Sequence, residues 1–529
     1  MNLKAIPLLV PALGRSITTE RCCVPIFYFK LSEWVGEIVE NSNQNKKNNY
    51  ENYSYGRKII YSSYTQSELN KNTITEILNE VFPIHLFNRS EIDYLEKYVK
   101  GIQPILYKTN IVRPEINNIV VENSAFGIVE FKKSYIFGKP IKYVQLGEIS
   151  TEEISSLNKY MSINNKQTLD SDLAESLYIS GIGHRICLPN KKENFKSPFT
   201  IHNLDSKNTF VVYERAIGNA PLLAVTYYAY KKDGRWFYKG SVYTEKEYYD
   251  FEFTGSVVIS IGEPKQHILG SIPIVEYRLN KTRIGLIEIG LSILNALNRI
   301  SSNDLDGIEQ QIEALLVFIN QDIDKETFQE LIKLGAIKVT SPDASRQADV
   351  KLLINDFSHE GTQVLYERLY ASMLFILGLP RMKENSSGGD TGEARRLGEG
   401  WTIADLRADQ DETSFKLGEN QILDIALRIC KKDPKCNINK LEVEDIESKF
   451  ERNKSDNLLV KTQSLTNLKS AQISPQTALS VVGLFSDPTA VCDESKKFYG
   501  DSWWQGGKEL INDKQVFDEN NKNNESDDK

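Results

Sequence analysis

The chain is short of the residues that build disulfide frameworks, metal centres and histidine-based active sites. Its six cysteines are too few for a disulfide scaffold in 529 residues, and their spacing matches no zinc pattern, so a reducing cytosol is expected. None of its five histidines has a metal-binding spacing such as H-E-x-x-H, which favours structural or surface roles. We therefore expect no catalytic residue, no metal and no cofactor.

Long apolar runs and an excess of positive charge are also missing. No stretch reaches the roughly 18 to 20 apolar residues that cross a bilayer, so no membrane partner is expected. The formal net charge of −8 argues against a broad basic face for nucleic acid, because such a face neutralises phosphates with Lys and Arg. No Walker A motif occurs, since Lys508 is followed by Glu509 rather than Ser or Thr. A nucleotide-driven motor is not expected here.

What is present is a large, mixed globular chain. With 40% hydrophobic residues it can bury a sizeable core, and its length predicts about three or four compact units. Helical periodicity covers about 74–135, with a second helix beginning at Ser90 as its N-cap and a third over 115–137. β-branched and aromatic runs then predict strands, with a hairpin turn at 232–235. The predicted strands are 199–202, 209–213, 222–230, 236–238 and 255–261.

Two long helices enclosing a small insertion follow Pro273. Apolar residues recurring every three to five positions predict one helix from 283 to about 316 and a second from 358 to 377. The insertion between them starts with apolar 315–319 and has a short helix over 325–334. Its paired strands are predicted at 336–340 and 349–354.

The apolar faces of these two helices should pack together. The residues expected in this packing are Ile293, Leu297, Ile308, Leu365, Leu369 and Met373. A third long helix is predicted from near Gly392 to Lys432, although Gly398, Gly400 and Gly418 fall inside it. Each glycine costs about 1 kcal/mol relative to alanine, so close packing or a bend is expected at these points.

The loop 380–392 separates the second and third helices. Its candidate functional residues are Arg381, Lys383, Glu384, Asn385, Ser386, Ser387, Gly388, Gly389 and Asp390. It enters a helix N-terminus, a geometry that can receive a phosphate through backbone N–H groups. On local sequence alone a connector that caps the next helix is favoured, because dedicated phosphate loops add a lysine at a fixed place.

Several short stretches, in order, resemble the portal proteins of tailed bacteriophages, in particular the family of long-tailed phages of Gram-positive hosts. One of them contains the aromatic-Gly-Lys-Pro element at Phe137, Gly138, Lys139 and Pro140. The stretches are 94–106, 134–143, 181–185, 204–213, 217–222, 272–277 and 385–388. Each is weak alone, but their order and spacing are specific, and the resemblance runs from about 90 to 490.

The resemblance implies an α+β multidomain fold with a mixed wing, a long-helix stem, a small clip and a helical crown, assembled as a ring. The implied divisions are wing 1–282, stem helix 283–316, clip 317–357, second stem helix 358–379, tunnel loop 380–392, long wing helix 393–439, crown 440–500 and a flexible acidic tail 501–529. Residues 1–80 and the tail depart from the family pattern.

The resemblance also implies a function. It is a structural protein, not an enzyme, forming a ring of typically twelve copies at one capsid vertex, through which double-stranded viral DNA is packaged and later ejected. The implied partners are the terminase large subunit, the major capsid and scaffolding proteins, and the head-completion or connector proteins. The implied location is the virion, with the host cytoplasm during assembly.

Two other classes of function stay open. A nuclease acting on packaged DNA would need clustered carboxylates or histidines for metal ions, and none is evident in the sequence. A ring-shaped head-tail adaptor would share the ring but never meet moving DNA. The tunnel loop together with both stem helices distinguishes the portal from that adaptor.

Deleting residues 383–390 is expected to leave ring assembly intact while impairing DNA packaging or retention, because the loop lies outside the predicted apolar faces. Packaging assays and particle imaging of the deletion variant would measure both. Loss of soluble rings in this variant would count against the tunnel-loop assignment.

Overall fold

The computed structural model describes residues 56–111, 113–146, 151–190, 196–232, 235–254, 257–312, 315–319, 326, 349–353, 359–381, 400–452, 458–485, 487–500 and 503–504. Its helices are α1 (Lys71–Val99), α2 (Ser124–Phe137), α3 (Thr151–Ile163), α4 (Lys166–Ser180), α5 (Leu286–Ile312), α6 (His359–Leu377), α7 (Trp401–Lys432), α8 (Leu458–Ser470), α9 (Pro475–Val482) and α10 (Pro488–Tyr499). Its strands are β1 (Ile60–Ser62), β2 (Lys142–Gln145), β3 (Ile182–Pro189), β4 (Phe199–Leu204), β5 (Thr209–Glu214), β6 (Pro221–Lys232), β7 (Arg235–Tyr243), β8 (Glu247–Thr254), β9 (Val257–Ile261), β10 (Lys265–Gln266), β11 (Ile274–Arg278), β12 (Leu315–Ile319), β13 (Asp349–Leu353) and β14 (Ile446–Lys449).

A seven-stranded sheet packs against α1. Its order is β1-β5-β6-β7-β8-β10 with β9 also on β8; β1 is parallel to β5 and the other pairs are antiparallel. Lys232 pairs with Arg235, as the predicted hairpin requires. The five predicted strands are confirmed: 199–202 lies in β4, and the other four lie in β5, β6, β7 and β9. The strands that were not predicted are β1, β2, β3, β8, β10, β11 and β14. Phe82 of α1 lies against Phe210 and Phe253 of the sheet, forming an aromatic core.

Helix α1 is one helix, so the prediction of a separate helix capped by Ser90 is wrong. The N-cap is Asn70, whose side chain accepts from the N–H groups of Asn72 and Thr73. Ser90 lies inside the helix and donates to the carbonyl of Phe87. The buried face continues past it through Ile92 and Leu95, so tertiary packing carries the helix through.

A larger core joins the second sheet, β11-β3-β4, to the long helices. Helix α7 crosses β11 so closely that a Cβ on Gly418 would lie 2.7 Å from the Tyr277 ring. This close approach accounts for a glycine in the middle of a long helix. The expectation of close packing at Gly418 is thus confirmed.

Three predicted helix boundaries are wrong. The third helix begins at Ser124 rather than 115, because residues 118–122 are extended along α5. Helix α5 ends at Ile312 rather than about 316, since Leu315 already pairs in a strand. Gly400 has φ +80° and is the N-cap of α7, so the long helix does not pass through it.

In the insertion, β13 pairs antiparallel with β12. The predicted partner strand 336–340 lies outside the described residues, as do the short helix 325–334 except residue 326 and the tail 512–529. Helix α6 is confirmed within one residue. Short helices α8 to α10 follow β14, as predicted for the C-terminal part.

Two kinds of feature are absent from the described residues. No described helix is both long and apolar enough to cross a lipid bilayer. No three or more His, Cys, Asp or Glu residues in the described part of the chain are grouped to hold a metal ion.

Replacing Leu297 by Asp is expected to disrupt folding or assembly, because its side chain is 1% exposed and packs in the main core. We expect a loss of at least about 3 kcal/mol in the free energy of unfolding, measured by chemical denaturation. The matched control is Asn303→Asp on the exposed side of the same helix, with a change within about 0.5 kcal/mol. A normal ring of unchanged stability for Leu297→Asp would refute the packing assignment.

Candidate functional site

The candidate site is the antiparallel pair of helices α5 and α6. The paired strands β12 and β13 bring the end of α5 beside the start of α6, with Leu315 opposite Leu353. At the other end, a Cβ on Gly290 would lie 3.4 Å from Leu377, so the helices are in contact there. With 27 residues, α5 is about 40 Å long. We call this elongated pair of helices, α5 and α6, the wall.

The structure divides the six residues predicted to pack in this wall. Leu297 and Met373 are both 1% exposed, and Ile293 and Leu369 are partly buried against the same core. Ile308 and Leu365, in contrast, are 40% and 47% exposed. In the single chain, the six residues therefore do not form one continuous buried seam.

A segment without long regular structure runs along α5; we call its described residues, 101–111 and 113–123, the strap. The backbone N–H groups of Asn118, Val120 and Glu122 donate to three α5 side chains. Their acceptors are Asp306 Oδ1 at 2.7 Å, Ser302 Oγ at 3.0 Å and Asn298 Oδ1 at 3.1 Å. Two extended residues and four helical residues both span about 6 to 7 Å, so the two spacings match.

Asp306 is the main anchor of the strap. Lys108 Nζ lies 2.5 Å from its carboxylate and Asn110 Nδ2 lies 2.9 Å away. Burial opposes ionisation, but hydrogen bonds from Lys108, Asn118 and Asn110 outweigh it and lower the pKa of Asp306. The role of Asp306 in anchoring the strap was not predicted from the sequence. Its signal was polar residues at four-residue spacing, 298, 302 and 306, within an apolar helix.

Two different sets of apolar side chains remain exposed on the helix pair and on the strap. We call Val364, Leu365, Arg368, Phe375 and Ile376 the outer flank of α6; Phe375 is 68% exposed. Val364, Arg368 and Phe375 recur at helical spacing, on the side of α6 opposite the buried Leu369 and Met373.

The second exposed surface is the strap flank, which lies over α5. It consists of Leu106, Tyr107, Ile111 and Ile119, with Ile111 88% exposed. The hydrogen bonds between the strap backbone and the side chains of α5 fix the position of this flank. The helix pair thus presents two non-identical apolar surfaces.

The predicted tunnel loop is described only at its start. Arg381 is exposed and lies at the end of a groove along the outer flank of α6, which Glu367 and Phe375 also line. The other predicted loop residues, Lys383 to Asp390, lie outside the described residues. Their contact with DNA stays a prediction.

A buried cluster of charged side chains connects α7 to the neighbouring elements of the core. Lys166 Nζ lies 2.5 Å from Asp170 Oδ1 and 3.0 Å from Glu419 Oε1. Arg185 Nη1 lies 2.8 Å from Asp170 Oδ1 and 3.4 Å from Glu419 Oε2. All four side chains are buried. Two positive and two negative groups leave the cluster neutral when all are ionised.

Two tyrosine hydroxyl groups also donate hydrogen bonds to Glu419. Tyr143 donates to Glu419 Oε1 at 2.6 Å, and Tyr277 donates to Oε2 at 3.0 Å. Burial opposes the charge of Glu419, but Lys166 and Arg185 outweigh it and lower the pKa of Glu419. The carboxylate is therefore the ionised centre of the cluster. The sequence analysis used Arg185 only as part of a resemblance motif.

The sequence match to a known family covers most of the chain. The model of the family described as "Phage portal protein, SPP1 Gp6-like" matches residues 78–498. Because this is well over half of the chain, the protein belongs to that family of phage portal proteins. No curated protein matches the chain.

Similar solved structures come from gene transfer agent (GTA) particles. A chain of the native GTA virion is 14% identical and covers 68% of this chain and 89% of that chain, with a TM-score of 0.36. The neck of the native particle computed with C12 symmetry has the same identity and coverage and a TM-score of 0.38. The neck of the empty particle computed with C6 symmetry gives 14%, 69%, 89% and 0.37. The family assignment rests on the sequence match alone.

Replacing Glu419 by Gln is expected to lower the free energy of unfolding by about 3–5 kcal/mol, because two buried positive charges, Lys166 and Arg185, then share a single carboxylate, Asp170. Asp424→Asn on the same helix is the matched control. Asp424 pairs with Arg428 at 2.9 Å in an exposed i,i+4 contact, so its loss should cost about 0.5 kcal/mol or less. Equal effects of the two substitutions in denaturant titrations would contradict the assigned importance of the cluster.

Proposed function

We propose that this protein assembles head to tail into a closed ring, as the portal at the unique vertex of a capsid, and that its channel conducts double-stranded DNA during packaging and ejection. Family membership supports the class of protein. The observation that carries the ring is the pair of non-identical apolar flanks on one helix pair.

A head-to-tail ring needs two different surfaces on each copy. Heterologous contacts close into a ring when the rotation between copies closes, whereas a twofold dimer uses one surface twice. The outer flank of α6 and the strap flank are such a pair of surfaces. We propose that the outer flank of one copy contacts the strap side of the next.

The size of the flanks also favours a ring over a simple dimer. The outer flank extends over residues 364–376 of α6, so it is about 18 Å long and about 10 Å wide. That area is well below the roughly 800 Å² per partner of a standard stable interface. In a closed ring each copy uses both flanks and no end is left unpaired, so modest contacts add up.

The charges of the exposed side chains suit the proposed contact between neighbouring copies, and the net charge of the chain suits weak DNA binding. On the exposed side of α5 the charged residue is Arg299, while the outward side of α6 carries Glu360 and Glu367 beside Arg368. The net charge of −8 per chain disfavours tight binding of DNA phosphates. Weak contact is what a sliding duplex requires.

The divisions of the chain follow the same proposal. Residues 1–282 and 393–439 form the wing, 283–316 and 358–379 the stem, 317–357 the clip, 380–392 the tunnel loop and 440–500 the crown. The clip meets the terminase and later the head-completion or connector proteins, and the ring contacts the capsid and scaffolding proteins. A head-tail adaptor without DNA translocation is the second candidate, and the loop deletion above distinguishes them.

The first experiment is the mass and symmetry of the purified protein, by native mass spectrometry with electron-microscopy class averages. A closed ring of about a dozen copies with an axial channel is expected on the portal model. A monomer that stays monomeric with scaffolding and capsid proteins present would overturn the proposal.

Phe375→Asp is expected to abolish ring formation while leaving the fold of each copy intact, because the side chain is 68% exposed in the single chain. Tyr228→Asp is the matched control, since it changes a ring that is 57% exposed on β6, away from both flanks. Sedimentation and circular dichroism measure assembly and folding separately. Rings that form normally with Phe375→Asp would remove the outer flank from the interface.

A further inference from the structure

A small cavity lies at the junction of the sheets and the base of α5. Its volume of about 10 Å³ is close to the minimum for one water molecule. Arg57, His184, Ser206, Glu276 and Arg283 are among its lining residues. They come from the first described segment, β3, the β4–β5 turn, β11 and the loop before α5.

Two arginines bring unused donors to this cavity. Arg57 Nη2 lies 2.8 Å from Glu288 Oε1, and Arg283 Nη2 lies 2.6 Å from Glu276 Oε1. The Nη1 atom of each arginine is buried and has no hydrogen-bond partner among the described residues. The two residues are adjacent, because the backbone N–H of Arg57 donates to the carbonyl of Arg283 at 3.0 Å. The Nη1 groups of both arginines therefore lack an acceptor among the described residues.

His184 and Glu276 bring acceptors to the same cavity. His184 Nδ1 lies 2.9 Å from Ser206 Oγ, while its buried Nε2 has no hydrogen-bond partner among the described residues. Nε2 is 3.9 Å from Glu276 Oε2, too far for a direct hydrogen bond. Burial, and secondly the charge of Arg283, lower the pKa of His184 to about 3. The ring is thus neutral at pH 7, and with the proton on Nδ1 its Nε2 is an acceptor.

We propose that one ordered water molecule is bound here as an integral part of the protein. It accepts from Arg57 Nη1 and Arg283 Nη1 and donates to His184 Nε2 and Glu276 Oε2. A water molecule has two O–H donors and two lone pairs, and the site supplies two donors and two acceptors. A contact of more than 3.5 Å between buried polar groups is where a bridging water is expected.

The charges around the cavity select a neutral ligand. Two guanidinium groups disfavour a cation, and the carboxylates of Glu276 and Glu288 disfavour an anion. The volume is about that needed for one water molecule. Water is the ligand that matches charge, size and hydrogen-bonding capacity together.

The consequence is a water-mediated joint where the long helix pair meets the rest of the chain. Glu288 is in the first turn of α5, and it binds Arg57 directly and the backbone N–H of Gly56 at 2.8 Å. The proposed water connects that ion pair to β3 and β11. This inference does not depend on the ring or on its function.

The test is a density map of the purified full-length protein at a resolution that shows ordered waters. We expect one peak about 2.7–3.2 Å from the two Nη1 atoms and His184 Nε2. Well-defined side chains without a peak, or a peak that refines as an ion, would overturn the proposal. This first test uses the protein without any substitution.

A variant then tests the partners. Arg57→Lys keeps the positive charge beside Glu288 but removes Nη1, so we expect the peak to weaken or disappear. Arg89→Lys is the matched control, because Arg89 lies on α1 outside the cavity lining, and the peak should remain. An undiminished peak in a folded Arg57→Lys variant would refute the four-partner assignment.

Discussion

The buried charge cluster around Glu419 is the contact on which the arrangement of the large core depends. The carboxylate of Glu419 on α7 contacts side chains from four other elements, β2, α4, β3 and β11. Buried ion pairs contribute little net stability, since desolvation offsets their attraction, but a misplaced element would leave a charge unpaired. We infer that the cluster sets the position of α7 against the sheet. Gly418, next to Glu419, permits the necessary closeness.

The strap extends the same logic to the helix pair. Helix α5 buries polar side chains on one side and apolar ones on another, and the strap satisfies the polar side with its own backbone. A loop bound in this way has a fixed position, so its outward apolar residues act as part of a rigid surface. The wall therefore presents two apolar surfaces of fixed position, the outer flank of α6 and the strap flank. This arrangement is suited to repetition around an axis.

The sequence predicted strong local patterns well and boundaries poorly. Aromatic and β-branched residues located β5, β6, β7 and β9 of the large sheet but not β1, β8 and β10, and helix α6 was placed within one residue. The Ser90 boundary failed because a serine inside a helix and a serine at an N-cap look alike until packing is known. The start of α2 failed because residues 118–122 find their backbone partners on α5, a contact that no local window contains. For the site, Leu297 and Met373 were recognised as buried, but the strap was not recognised at all.

By itself the sequence determined the family, the order of elements and the long apolar helices, because these depend on local periodicity and on motifs in order. The tertiary structure alone decided which apolar residues are buried and which remain exposed on the flanks, since Leu297 and Ile308 share one helical pattern but not one environment. It also decided which charges meet. Lys166, Arg185 and Glu419 are far apart in sequence, and only folding brings them within hydrogen-bonding distance, where the loss of water makes their pairing obligatory.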